Sequence, residues 1–340
     1  MGAVGQVSTR SFDWVDGAVI TLDQRLLPAE HRLMRLTTVD ELVDAIRTLA
    51  VRGAPALGIA GAFGVALSAR HNPTDPAQVG IDADRIANAR PTAVNLAWGV
   101  ARALRKLADG PDAVLTEAIA VLDEDERVNR AAAARAADLL IRLGPDRPLR
   151  VLTHCNTGRL AAGAWGTALG AIRDLSARGA IELVVATETR PLLQGARLTA
   201  WELAEAGIPY RIAVDSAAPA LIARGLVDCV VVGADRIAVN GDTANKIGTY
   251  SLALAAARAG IPFVVVAPES TVDPDLPDGT GIHIEERAAD EVTTFAGRST
   301  APAGTQAFNP AFDVTPADLI TAVVTERRTL LDQDRHDPAR

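Results

Sequence analysis

A chain of 340 residues, 49% hydrophobic but only 4% aromatic, is long enough for two domains whose aliphatic, alanine-rich cores need no disulfide staples. Its net charge of −8 and pI near 5.2 exclude the broad basic face that general nucleic-acid or anionic-membrane binding requires. The two cysteines, Cys155 and Cys229, sit in or beside apolar runs, which fits a reducing cytoplasm better than a disulfide framework.

The opening MGAVGQVSTRSFDW lacks the apolar core of a secretory signal. The longest uncharged run, residues 53–69, is rich in glycine and alanine and too weakly hydrophobic for a membrane span. Residues 12–28 alternate around an Asp16-Gly17 turn signal and predict a small antiparallel hairpin. Thr38 and Glu41 form a capping-box pattern ahead of Leu42, Val43, Ile46 and Leu49, predicting a helix that ends near Gly53. Pro55 opens a second helix in which Gly58, Gly61 and Gly64 recur every third residue, a spacing that permits close backbone packing. With no strand before it, this is not a dinucleotide fingerprint. A polar loop is expected over 71–84, then a helix from Arg90-Pro91 to Leu107. Two further helical stretches follow, the second over 126–143.

The run Gly144-Pro145-Asp146-Arg147-Pro148 marks a boundary between a mostly helical domain, 1–145, and a second domain, 146–340. Beyond it, short apolar runs at 149–152, 181–186, 210–214, 228–232 and 263–267 alternate with helices expected at 160–176, 196–206, 217–224 and 246–259. Their separations suit βαβ units. The fold class predicted is therefore α/β, a mostly helical N-terminal domain with a small antiparallel β piece, followed by a Rossmann-like, doubly wound parallel sheet. Residues 268–309 read as a long functional or mobile loop. A last helix is predicted over 315–331, with a frayed tail after it.

Four polar clusters follow predicted strands: Thr153-His154-Cys155-Asn156, Glu188-Thr189-Arg190-Pro191, Asp215-Ser216 and Asp235. In a parallel sheet they converge on one edge, the usual ligand position. Cys155 stands between a strand and a helix, where the helix dipole stabilises a thiolate; the bland reading is a buried small hydrophobe. Cys229, mid-strand, reads as structural. His154 faces the opposite way from Cys155 and reads as a packed, hydrogen-bonded histidine. Asp235 follows three valines and Gly233-Ala234, so partial desolvation suits it as a general acid, with a turn cap as the alternative. Asp215 reads equally as an N-cap or a site residue. Arg52-Gly53-Ala54, Arg90 and Lys246 stand at predicted helix starts, where backbone N–H groups and a cation suit a phosphate, although any one alone reads as a surface charge. Asn245 precedes Lys246, and Gln194 is a candidate hydroxyl partner. Five scattered histidines with no paired spacing give no metal site.

The motifs RGAPALGIAGAFGVAL, THCNTGRLA, ETRPLLQGARLTAWEL, GADRIAVNGDTANKIGTY and NPAFDVTP, in this order, closely resemble the methylthioribose-1-phosphate isomerases of methionine salvage. The wider family also contains ribose-1,5-bisphosphate isomerases and regulatory subunits of a eukaryotic translation-initiation exchange factor. Composition, cysteine use and the lack of a signal or span read as a soluble cytoplasmic protein; the resemblance implies a homodimer without metal or organic cofactor that acts on a small sugar phosphate. It puts the catalytic cysteine on Cys155 and the catalytic aspartate on Asp235. It puts substrate binding on Arg52, Gly53, Ala54, Arg90, Gln194, Asn245 and Lys246, so the site is expected to draw on both domains. Two departures are visible. Thr187 stands where members usually carry aspartate before Glu188, and Asp215-Ser216-Ala217-Ala218 replaces an Asp-Asn-Met-Ala run. They leave open a 5-deoxyribose 1-phosphate substrate. The alternatives from the wider family are a ribose-1,5-bisphosphate substrate or a non-catalytic regulatory subunit binding a phosphosugar or nucleotide, the last disfavoured by the retention of Cys155, Asp235 and the arginines.

Overall fold

The computed structural model describes residues 10–90 and 94–331. Pro91 and the tail after 331, for which a helix start and fraying were expected, lie outside the described residues. The chain divides into two compact units. One runs to Val128 and takes in Thr157–Gly166; the other comprises Asn129–Asn156 and the chain from Thr167 onward.

In the first unit, β1 (Phe12–Val15), β2 (Ala18–Leu22) and β3 (Leu33–Leu36) form an antiparallel sheet. Val15 pairs with Ala18 across the Asp16-Gly17 turn. Helix α1 (Val39–Arg47) carries the reciprocal capping box of Thr38 and Glu41. It stops six residues short of Gly53 because Leu49 turns left-handed, at φ 62°. Helix α2 (Ala54–His71) is buried from Ala56 to Ala69 on every side, as befits a central helix. The expected loop at 71–84 is instead largely α3 (Pro76–Ala87). Asp75 caps it, accepting the Gln78 N–H at 3.0 Å, and Val79, Ala83 and Ile86 bury one face of an otherwise polar segment. After α4 (Val94–Leu104), the glycine spacing explains itself: a Cβ on Gly99 would lie 1.9 Å from the carbonyl oxygen of Gly58. The two helical stretches expected before Gly144 are one helix, α5 (Pro111–Leu143).

The second unit is built on β4 (Leu149–Thr153), α6 (Ala168–Ala177), β5 (Ile181–Thr187), α7 (Ala200–Glu205), β6 (Tyr210–Ala213), α8 (Ala218–Ala223) and β7 (Cys229–Val232). It continues with β8 (Arg236–Ile237), β9 (Thr243–Lys246), α9 (Thr249–Ala259) and β10 (Phe263–Val266). The polar segment holds α10 (Asp290–Thr293) and the short hairpin β11 (Thr294–Phe295) with β12 (Arg298–Ser299). Then come β13 (Phe312–Thr315), β14 (Ala322–Val324) and β15 (Thr329–Leu331). The main sheet has the order β15-β14-β10-β7-β4-β5-β6. Only β15 runs antiparallel to its neighbour. Its parallel strands are valine-rich and fully buried, Val230–Val232 and Val264–Val266 each at 0% exposure, as sheets covered on both faces require. By chain order the parallel strands read 3-2-1-4-5-6, so the connection reverses direction between β4 and β7.

Three expectations fail here. The helix predicted over 315–331 is β13, a 3-10 turn at Ala317–Leu319, β14 and β15. Branched Val323 and Val324 add to β10 in parallel register, and tertiary pairing overrides local helical spacing. The helix predicted over 160–176 begins only at Ala168, preceded by a 3-10 turn, Arg159–Ala161. The helix expected from Lys246 begins at Thr249. Asn245 and Lys246 lie in β9, at the centre of the three-stranded sheet β13-β9-β8.

Candidate functional site

Cys155 and Asp235 lie just beyond the ends of β4 and β7, the adjacent parallel strands at which the sheet changes direction. A doubly wound sheet opens its ligand crevice at this point, because the chains leaving the two strands turn to opposite sides. No α-helix N-terminus follows Cys155, contrary to expectation, since α6 starts thirteen residues later. The thiol is placed by threonines instead. The Cys155 N–H donates to Thr189 Oγ1 at 3.0 Å, and Thr199 Oγ1 donates to the Cys155 carbonyl at 2.6 Å. These bonds hold Cys155 at φ 61°, a left-handed conformation that a non-glycine residue adopts at a cost. Asn156 is anchored behind it, donating to Glu202 Oε1 at 2.8 Å, and Arg173 pairs with the other carboxylate oxygen at 3.3 Å. Cys229 is different in kind: burial, with the charge of Asp228 added, pushes its thiol up to about 12. It is an inert, buried thiol.

The loop after β5 repeats the pattern of strained backbone held by hydrogen bonds. Thr189 and Leu193 also have positive φ, 64° and 58°. The carboxylate of Asp215 accepts the N–H groups of Thr189 at 2.8 Å and Arg190 at 2.7 Å. Asp215 therefore anchors this loop, and it is not the N-cap of the turn that follows, which is Val214. Gln194 is buried, and among the described residues its Oε1 has no hydrogen-bond partner. It precedes a π-helical turn, Gly195–Thr199. A Cβ on Gly195 would fall 1.7 Å from the Thr187 carbonyl oxygen, so only glycine fits.

His154 is buried and hydrogen-bonded, the packed histidine expected from the sequence. Its Nε2 lies 2.8 Å from the Ile247 carbonyl, which can only accept, so that nitrogen carries the proton. Nδ1 then accepts from Thr187 Oγ1 at 2.6 Å. Burial, opposed by the Ile247 bond and by Asp215, lowers the imidazole pKa. The neutral partner Thr187 matches that uncharged ring.

Asp235 is half-buried, its N–H bonded to the Ala244 carbonyl at 2.9 Å. That bond ties the end of β7 to β9. Asn245 and Lys246 are buried. Asn245 Nδ2 donates to Thr249 Oγ1 at 2.9 Å, and Lys246 Nζ stands 5.0 Å from the centre of the Phe312 ring. Asp313, next along β13, accepts the Gly248 N–H at 2.7 Å and the Tyr250 N–H at 3.2 Å. Burial raises its carboxyl pKa to about 6, against the lowering effect of those N–H groups and of Lys246. In the sequence Thr199 and Asp313 stand within the motifs without a role, Thr189 is one member of a polar cluster, and Thr187 is only a departure from the usual aspartate. Only the fold shows which loops they hold.

In the first unit, Arg52 Nε donates to Gln24 Oε1 at 3.2 Å, and Gln24 Nε2 donates to the Leu160 carbonyl at 2.7 Å. Gly53, at φ 99°, is the N-cap of α2 and offers the first-turn N–H groups no side-chain acceptor. A Cβ there would strike the Ala161 carbonyl at 2.4 Å. Ala54 is the first residue of α2, and Arg90 is half-buried after α3. Among the described residues, no cluster of three or more His, Cys, Asp or Glu side chains could hold a metal ion, and no helix is long and apolar enough to cross a membrane.

Comparison with known proteins bears on this arrangement. Residues 50–329 match the model of the Initiation factor 2 subunit family. The chain belongs to that family. A methylthioribose-1-phosphate isomerase of Anaeromyxobacter sp. is 54% identical over 91% of this chain and 90% of its own length. A protein of Nocardia farcinica named "Probable bifunctional methylthioribose-1-phosphate isomerase/methylthioribulose-1-phosphate dehydratase" is 65% identical over 94% of this chain. This family member spans only 59% of that relative's length. Among solved structures, 5-methylthioribose 1-phosphate isomerase from Pyrococcus horikoshii superposes with a TM-score of 0.87 at 38% identity, covering 95% of this chain and 92% of that one. The translation initiation factor eIF-2B, subunit delta, from A. fulgidus does so with a TM-score of 0.86 at 41% identity, covering 95% and 96%.

Proposed function

We propose that this chain converts 5-methylthioribose 1-phosphate to 5-methylthioribulose 1-phosphate in methionine salvage, as a cytoplasmic homodimer without cofactor. The observation that carries the reading is the placement of Cys155 and Asp235 beyond the two strands at which the sheet reverses direction. The chain is an isomerase of the aldose–ketose type, in keeping with the names of its relatives. Phosphate on the anomeric oxygen prevents spontaneous ring opening, so the enzyme must assist it. Asp235 gives its proton to the ring oxygen as the bond from C1 to that oxygen breaks and the electron pair stays on oxygen. The hydrogen on C2 then passes to C1 while the 2-hydroxyl proton returns to Asp235, leaving a ketone at C2. In the proton-transfer route Cys155 removes the C2 proton and returns it to C1; in the hydride route it stabilises the developing charge.

Gln194, with its unpartnered buried oxygen, serves as a sugar hydroxyl partner. Asn245, Lys246, Arg52, Arg90 and the α2 start at Gly53-Ala54 take the phosphate. We place the domain boundary at 144–148, between parts 1–145 and 146–340 that both contribute phosphate contacts. Incubation of the purified protein with methylthioribose 1-phosphate, followed by NMR of the ketose, tests the activity. Full activity in both Cys155→Ala and Asp235→Asn would refute the roles. In D₂O, deuterium at C1 supports proton transfer.

A second reading, a non-catalytic subunit binding a phosphosugar or nucleotide, is favoured by the likeness to the A. fulgidus protein. Lack of turnover combined with obligate hetero-assembly on co-purification would establish it instead. Thr187 and the Ser216-Ala217-Ala218 run bear on the 5-substituent. Assays of 5-methylthio-, 5-deoxy- and 5-phospho-ribose 1-phosphates side by side decide it.

A further inference from the structure

The turn after β9 is held from several directions by groups to which the proposed chemistry gives no role. Ile247 donates its N–H to the Ala311 carbonyl at 3.1 Å and offers its own carbonyl to His154. Gly248, left-handed at φ 107°, sends its N–H to Asp313, and Tyr250 sends its N–H to the same carboxylate. Antiparallel register sets Phe312 opposite Lys246 and Asp313 opposite Asn245. Lys246 is buried, yet its ammonium stands over an aromatic face. A lysine carries four rotatable side-chain bonds, and an aromatic face restricts it without neutralising its charge.

We propose that Phe312 and Asp313, adjacent on β13, are positioning residues that present Lys246 and Asn245 to the substrate phosphate. Phe312 fixes the ammonium through its ring face, and Asp313 fixes the backbone of the turn from which the lysine strand ends. The ring face restricts the ammonium and leaves it its charge, as an anion anchor requires. Binding, not the chemical step, is what these two residues serve. The inference rests on the reading of Lys246 as a phosphate anchor.

A double-mutant cycle on the full chain tests it, with initial rates on methylthioribose 1-phosphate and melting midpoints for each variant. Phe312→Leu should raise KM about three- to tenfold with kcat within about twofold, whereas Phe312→Tyr, which keeps the ring, should match the parent. In a Lys246→Met background the same Phe312→Leu change should alter KM by less than about twofold, because the group it positions is gone. Phe312→Met, close in volume, replaces Phe312→Leu if the latter fails to fold. Asp313→Asn should raise KM without lowering the melting midpoint at pH 7.5. Equal factors for Phe312→Leu in both backgrounds, or equal behaviour of the Leu and Tyr variants, overturn the role of Phe312. An unchanged KM in Asp313→Asn overturns that of Asp313. An unchanged KM in Lys246→Met removes the anchor reading and this inference with it.

Discussion

Replacing Asp313 by asparagine isolates the cost of burying its charge. Its carboxyl pKa stands near 6 in the fold, raised from 3.8, because burial outweighs the help of two backbone N–H groups and Lys246. A raised carboxyl pKa means that the protonated acid suits the fold better than the carboxylate. The stabilising contribution is complete below 3.8 and is lost as pH rises through 6. From the two pKa values, the ionised group costs about 3 kcal/mol at pH 7.5 and about 1 kcal/mol at pH 4.5. Asparagine escapes that cost but, with one carbonyl oxygen, gives up one N–H bond, worth about 1 kcal/mol. Asp313→Asn should therefore be more stable than the parent by about 2 kcal/mol at pH 7.5 and about equal to it at pH 4.5. Urea unfolding of both proteins by circular dichroism, across that pH range, measures the difference directly, and contributions of all other groups cancel in it. A difference that stays flat with pH, or that grows as pH falls, would refute the argument.

Other outcomes follow from the same geometry. Cys155→Ala and Asp235→Asn should each lower kcat by a factor of about 100 or more while leaving KM within a few-fold, read by steady-state kinetics. Thr199→Val removes the donor to the Cys155 carbonyl; it should reduce kcat about tenfold by loosening the left-handed cysteine, at a stability cost of about 1 kcal/mol. Gly195→Ala drives a Cβ to 1.7 Å from the Thr187 carbonyl, so the π-helical turn and Gln194 must move. A stability loss of about 3 kcal/mol or more is expected in chemical denaturation, with KM raised in whatever protein folds. Thr187→Val leaves the buried Nδ1 of His154 without its donor and should cost about 1–3 kcal/mol of stability in the same assay.

The hairpin at Asp16-Gly17, the Thr38 capping box, the glycine-spaced α2 and five core strands were legible in the sequence because each rests on a local signal, such as turn chemistry, a cap or a valine run bounded by breakers. The failures share the opposite property. Residues 71–84 look polar, yet α3 needs only three buried apolar side chains on one face. The 315–331 segment has helical spacing, but Ala322–Val324 finds a parallel partner in β10, more than fifty residues earlier. Asn245 and Lys246 precede a helix as read, but they are in a strand because β13 pairs with them from a distant part of the chain.

The candidate site divides the same way. The residue types and their order along the chain single out Cys155, Asp235, Asn245 and Lys246, since reactive side chains stand out when they interrupt apolar runs, and the family resemblance adds Gln194. The tertiary structure decided what holds them. Cys155 is placed not by a helix end but by Thr189 and Thr199, from loops more than thirty residues away. Asp215 is an anchor because two N–H groups of another loop reach it, and the Asp313 carboxyl pKa is raised because β13 buries it beside a helix start. Hydrogen-bond partners and desolvation are properties of neighbours in space, and spacing along the chain does not encode them until the sheet has brought its strand ends together.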